Sequence, residues 1–126
     1  MPSRAEVEQF FERRQRAWLA GDLDEYMSLW TEDVEFTTPD HGSVLHGREA
    51  LREFIAANFA SGAVAVSLDV DHFAVDGEVL LHEWSLVTRP PAGETSETLR
   101  GMAVCGFRDG RVAWWRDYYR SRWREV

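Results

Sequence analysis

Lysine is absent from this 126-residue chain, so arginine alone supplies its 14 basic side chains. That bias is attributed to a GC-rich genome and carries little mechanistic weight. The 22 acidic residues outnumber the basic ones and leave a net charge of −8. Such a surface argues against nucleic acid and anionic membrane as partners. The single cysteine, Cys105, cannot close an internal disulfide. The opening stretch MPSRAEVEQF has neither a basic segment nor an apolar run of the kind that directs secretion, and both features point to the cytoplasm. No apolar run is long enough to cross a bilayer, and no repeat or low-complexity tract is present. H-x-x-x-H, C-x-x-C and facial-triad spacings are missing, so no metal is expected. His41 and His46 fall around one loop, and His72 lies in a strand-like segment without an evident partner. A G-x-S-x-G elbow and a phosphate-binding glycine loop are missing as well, and no cofactor is expected.

What is present is apolar content of 44%, enough for the core of one domain spanning residues 1–126. Ser3 and Glu6 have capping-box spacing ahead of Val7, Phe10, Phe11, Arg14, Ala17 and Trp18, whose apolar members recur at helical spacing. The helix should end at Ala20 with Gly21 just beyond it. Asp22 and Glu25 repeat the capping spacing, and Tyr26, Leu29 and Trp30 share one face of a short second helix. A strand is expected over Val34–Thr38, then a turn at Pro39-Asp40-His41-Gly42. Leu51, Phe54, Ile55, Asn58 and Phe59 trace a third helix over Arg48–Ala60.

From Val64 onward the pattern alternates, with breaks at Asp76-Gly77, Pro90-Pro91-Ala92-Gly93 and Asp109-Gly110. The two Asp-Gly pairs mark tight hairpins. The fold class is therefore α+β: three N-terminal helices packed in the concave face of a curved, mostly antiparallel sheet, enclosing a pocket. The strand period of two sorts the side chains. Leu80, His82, Trp84 and Leu86 share one face, and Leu99, Gly101, Ala103 and Cys105 share one on the next strand. If Asp117 points inward, so do Trp115 and Tyr119, while Trp114, Arg116 and Tyr118 point out. Gly101 and Ala103 add little volume and should leave space open. The outward aromatic stripe suggests a homodimer through the outer sheet face.

Three segments, AGDLDEYMSLWTEDVEF at 20–36, GREALREF at 47–54 and DGRVAWWRDYY at 109–119, give the chain a resemblance to a known family. It resembles the SnoaL-like and limonene-epoxide-hydrolase-like branch of the nuclear transport factor 2-like superfold over nearly its whole length. In the epoxide hydrolases the aspartate of the W-R-D-Y run activates water, and it matches Asp117. Their Arg-x-Asp pair falls on His82 and Trp84, and their water-positioning Tyr-x-Asn falls on Glu35 and Thr37. In the related ketosteroid isomerases the tyrosine donor, the base and the protonated aspartate correspond to Arg14, Thr38 and about Ala103. SnoaL-type polyketide cyclases, as the resemblance implies, use an aspartate as acid or base with little other machinery, which suits Asp117 with His82.

The expected function is thus cofactor-independent acid–base chemistry, by cyclisation, isomerisation, dehydration or hydrolysis, on a small apolar oxygenated metabolite such as a polyketide or terpenoid. Asp117 would accept the proton, His82 would relay it, and Tyr119 would donate a hydrogen bond to developing charge. The expected lining is Trp84, Trp115, Phe59, Glu35, Thr37, Leu86, Leu99, Gly101 and Ala103. Two alternatives stand beside this reading: a limonene-type epoxide hydrolase with His82 as a replacement acid, and a non-catalytic ligand-binding or assembly domain. In the bland reading of Asp117, the carboxylate pairs with Arg100 or Arg120 and stabilises the sheet.

Overall fold

The computed structural model describes residues 2–90 and 95–119. The first helix, α1 (Arg4–Ala20), begins at a complete capping box. Ser3 accepts from the Glu6 N–H, and the Glu6 carboxylate accepts from the Ser3 N–H. It stops at Gly21, whose φ of 66° is the left-handed conformation that lets its N–H reach Ala17 and Trp18 carbonyls. Asp22 then caps the short α2 (Leu23–Met27).

Expectation and structure part at Trp30. Rather than extending α2, Trp30 opens strand β1 (Trp30–Thr37), because tertiary pairing outweighs the local helical spacing. The Val112 N–H donates to the Leu29 carbonyl at 2.9 Å, and Trp30 pairs with Val112 on the last strand. The two-residue β2 (Leu45–His46) and α3 (Arg48–Phe59) follow, then the long strands β3 (Val64–Asp76), β4 (Val79–Arg89), β5 (Glu97–Arg108) and β6 (Arg111–Tyr118). Asp109 and Gly110, at φ 53° and 79°, form the tight turn between β5 and β6, and Gly77 at φ 60° serves the β3–β4 turn. Of the expected turn after Pro90, residues 91–93 lie outside the described residues.

The sheet has six strands in the order β2-β1-β6-β5-β4-β3, antiparallel except for the β1–β6 pair. It curves around the three helices, so β6 lies centrally with helices over its inner face. Gln15 on α1 donates to the Leu68 carbonyl on β3 at 2.8 Å. Arg13 on α1 binds Glu25 on α2 at 2.7 Å, and Arg52 on α3 binds Asp24 at 2.6 Å, so α2 is held from both sides. Trp30 and Trp115, both fully buried and 5.3 Å apart edge to face, anchor the core between sheet and helices. No helix among the described residues is long and apolar enough to cross a membrane.

Candidate active site

Alternation on β4 and β5 runs as the period requires. Leu80, His82 and Trp84 are buried on β4, and Ala103 and Cys105 on β5, with Leu81 and Met102 exposed on the opposite face. In register, Ala103 stands between His82 and Asp117, and Gly101 pairs with Trp84. Two strand spacings therefore separate His82 from Asp117, about 10 Å along the sheet.

Between the helices and the sheet lies a cavity of about 210 Å³. Arg14 and Trp18 of α1, Tyr26 of α2, Phe54, Ile55 and Asn58 of α3, and Phe36 and Thr38 from the end of β1 line it. Leu68, Trp84, Leu86, Leu99, Asp117, Tyr119 and the loop residue Asp40 complete the wall. The Asp117 carboxylate and the Arg14 guanidinium both stand on this mostly apolar wall.

Oδ1 of Asp117 is sealed from solvent and has no hydrogen-bond partner. Burial disfavours the charged form and pushes the carboxyl up to about 6, against the lowering pull of Arg14 and of the Trp115 and Trp84 indole N–H groups. Those indoles lie within electrostatic reach but fall short of hydrogen-bond geometry, since neither Nε1 has a partner. Asp40 adds a smaller upward push as a second negative charge. The result is a carboxyl on the cavity wall that carries a proton part of the time near neutral pH.

Arg14 is half-buried, with Nε sealed and unpartnered and its guanidinium 4.7 Å from the centre of a Trp115 ring. It forms no ion pair among the described residues. Its charge reaches Tyr26, Asp117, His82 and Cys105, lowering the proton affinity of each.

Of the residues expected from sequence, Asp117, Tyr119, Trp84, Leu86 and Leu99 line this cavity. Seven others are placed elsewhere. His82 is 1% exposed, wedged between the rings of Phe11 (5.1 Å) and Trp115 (5.0 Å), and both of its nitrogens are sealed without partners. Burial holds it down to about 3, so it is a neutral core residue with no route for a relayed proton. Trp115 is fully buried beneath the cavity rather than on its wall. Phe59 packs edge to face on Trp18 at 5.0 Å, behind the wall. Glu35 and Thr37 are exposed on the outer face, because the apolar residues Val34 and Phe36 set the register of β1 and so turn Thr38 inward instead. Glu35 meets His46 at 3.7 Å across the β1–β2 pair, and His72 meets Glu83 at 3.0 Å on the outside of the sheet.

Gly101 and Ala103 open no space. A Cβ at Gly101 would lie 2.8 Å from Trp84 Cζ2 and 2.9 Å from Tyr119 Cβ, so the glycine lets those two rings close over it. Ala103 is buried between its neighbours. Tyr119 also departs from its expected role. Its hydroxyl donates to Asp40 Oδ2 at 2.7 Å and, with its one proton committed there, accepts from Thr38 Oγ1 at 2.7 Å. Burial and the Asp40 acceptor hold that proton on the phenol. Cys105 is pushed up to about 12 by burial and stays a thiol. Arg120, one of the two arginines considered as a structural partner for Asp117, lies outside the described residues.

Sequence reasoning did not assign Arg14, Tyr26, Thr38 or Asp40 to the wall. A signal existed for the first: Arg14 stands four residues after Phe10 and three before Ala17, on the buried stripe of α1. Register carried the signal for Thr38, two residues beyond Phe36.

The chain belongs to the SnoaL-like domain family, whose profile matches residues 7–115. Among solved structures it is similar to an LEH-like epoxide hydrolase from M. tuberculosis, with TM-score 0.75, 18% identity, and 94% of this chain and 86% of that one covered. It is similar also to a protein of Xanthomonas campestris pv. campestris whose assignment as a polyketide cyclase is provisional, with TM-score 0.72, 21% identity and coverage of 93% and 92%. A third, a nuclear transport factor 2-like protein from Anabaena variabilis, gives TM-score 0.76 at 18% identity over 96% and 95%. Comparison with curated protein sequences gives no match. At these identities the structures share the fold, and fold alone does not fix chemistry.

Proposed function

We propose that the protein is a cofactor-independent enzyme that performs acid–base chemistry on a small apolar oxygenated metabolite, with Asp117 giving and taking the proton. One observation carries the reading: Asp117 lines a cavity walled largely by apolar side chains, and its Oδ1 is buried there without a hydrogen-bond partner. A proton acceptor works best when its pKa lies near the working pH, and burial has moved this one most of the way there from the ordinary carboxylate range. The cyclase and epoxide hydrolase among similar folds are consistent with such chemistry. Cyclisation, isomerisation, dehydration and hydrolysis all begin with proton transfer of this kind.

The test is a screen of small cyclic enones, β-keto esters and epoxides in ¹⁸O-labelled water, with wild type and Asp117→Asn side by side. We expect turnover whose rate rises through an apparent pKa near 6, and its loss by a factor of at least about 10² in the variant. Label in a diol product would identify the reaction as epoxide opening. Equal rates in both proteins would overturn the assignment of Asp117, and no turnover across the panel would favour a binding domain.

We further propose that two copies pair through the outer sheet face. Tyr118 is 61% exposed there, with Met102 opposite it at 48%. Arg116 stacks on Trp114 at 4.8 Å nearby. Tyr118→Glu should shift sedimentation toward the monomer, and an unchanged monomeric profile in both proteins would reject the pairing.

A further inference from the structure

A guanidinium taken out of bulk water without a counter-charge is costly, and buried cations are ordinarily paired. Arg14 departs from that pattern. Its Nε is sealed and unpartnered, no carboxylate pairs with it among the described residues, and its planar head lies against Trp115 beside the cavity. Asp117 shares the cavity yet is not its ion-pair partner, and the one other acid on the wall, Asp40, is engaged by Tyr119. Arg14 therefore has no carboxylate within ion-pair distance among the described residues, and it stands on the wall of a largely apolar cavity.

We propose that Arg14 is the specificity-determining residue of this cavity and receives the carboxylate of a small monocarboxylic acid, whose apolar body rests against Trp84, Leu86, Leu99 and Phe54. This rests on reading the cavity as the working site, and it narrows the substrate class given above. A planar guanidinium offers paired N–H donors that match a carboxylate and are not matched by a neutral amide. Size limits the rest of the molecule. The cavity of about 210 Å³ lies below the roughly 300–1,000 Å³ of sites for drug-sized ligands. A one-ring or short branched body suits that volume better than a fused polycycle.

Binding has a further consequence for Asp117. A carboxylate on Arg14 offsets the cation's lowering effect and brings a like charge near. Around Asp117 stand Arg14 of α1, Tyr26 of α2, Trp84 of β4, Cys105 of β5, and Asp40 and Tyr119 at the mouth, and only Arg14 among them is cationic. The ligand therefore raises the proton affinity of Asp117, and affinity for the ligand strengthens as pH falls toward 6.

The experiment titrates wild type, R14Q, R14K and D117N with benzoate and cyclohexanecarboxylate and with their primary amides, by calorimetry at pH 7.5. Wild type should prefer each acid over its amide by roughly ten- to hundredfold, as charge-assisted hydrogen bonds imply. R14Q should erase the preference, R14K should keep part of it, and D117N should keep or increase it. Amides binding as well as acids, no binding by any probe, or a preference that survives in R14Q would each overturn the proposal. Should R14Q fail to fold, nuclear Overhauser contacts between bound benzoate and the Arg14 side chain in wild type decide, and their absence at saturation counts against it. A D117N protein that keeps both its acid preference and its catalytic rate would reject acid–base catalysis by Asp117 while leaving the role of Arg14 standing.

Discussion

The Tyr119 hydroxyl donates its one proton to Asp40, 2.7 Å away, and so ties the end of β6 to the loop that follows β1. Thr38, 4% exposed, spends its own proton on the same oxygen. Tyr119→Phe deprives a buried hydroxyl and a carboxylate of their partner at once. We expect a stability loss of about 1–3 kcal/mol in urea unfolding, together with faster amide exchange over residues 40–44. An unchanged exchange rate there would mean that the loop is held by other contacts.

Asp117 and Arg14 are electrostatically coupled without being paired, and the coupling has a sign. Arg14 lowers the proton affinity of Asp117. Arg14→Gln should therefore raise the Asp117 pKa above its wild-type value, as read from the side-chain carboxyl shift in a ¹³C titration. No change would show that the guanidinium is fully screened by solvent, and a fall would contradict the sign of the coupling.

His82 and Asp117 should oppose each other in the pH dependence of stability. The folded-state pKa of His82, about 3, lies below the ordinary 6.5, so the unfolded chain binds the proton first. Its contribution is present above pH 6.5 and is lost as pH falls toward 3. Asp117 is raised from 3.8 to about 6, so its contribution is complete below pH 3.8 and is lost as pH rises through 6. The two slopes cancel between roughly pH 4 and 6. Wild type should show nearly flat stability there from these two groups. His82→Phe, which also removes two unpartnered buried nitrogens, should gain stability on acidification, by about 2–3 kcal/mol over that window. Asp117→Asn should lose a similar amount. Parallel curves for all three proteins would refute the assignment of both groups.

Gly101→Ala tests the packing of the cavity wall. The added Cβ would lie 3.0 Å from the Tyr118 carbonyl oxygen, a backbone atom that cannot swing away, and 2.8 Å from the Trp84 ring. A cost of about 1–3 kcal/mol is expected, with altered fluorescence as Trp84 shifts. Wild-type stability in this variant would show that the strand relaxes freely.

The elements whose signals are local were legible in the sequence. Ser3 with Glu6, Gly21, and the two Asp-Gly turns satisfy or reverse the backbone with their own atoms, and the structure uses all of them. Alternation placed the inward faces of β4 and β5 for the same reason. Trp30 was misplaced because its partner, Val112, is far away in sequence. Glu35 and Thr37 were placed inward by matching a resemblance, whereas Val34 and Phe36 fix the pleat the other way. His82 faces inward as its strand period requires, yet facing inward is not reaching the cavity: Phe11 and Trp115 arrive from other elements and seal it. Arg14 was visible as a cation on an apolar stripe. Its lack of a counter-charge was not, since that depends on where every acidic side chain ends up.

The most direct test of the account is the pKa of Asp117 in the folded protein, by carboxyl-selective NMR titration with Asp117→Asn as the assignment control. The account predicts a value near 6, that of a largely buried carboxyl beside a cation that forms no ion pair with it. A value at or below the ~3.9 of an ordinary aspartate would contradict it. Such a value would make Asp117 a well-solvated or fully paired residue of the sheet.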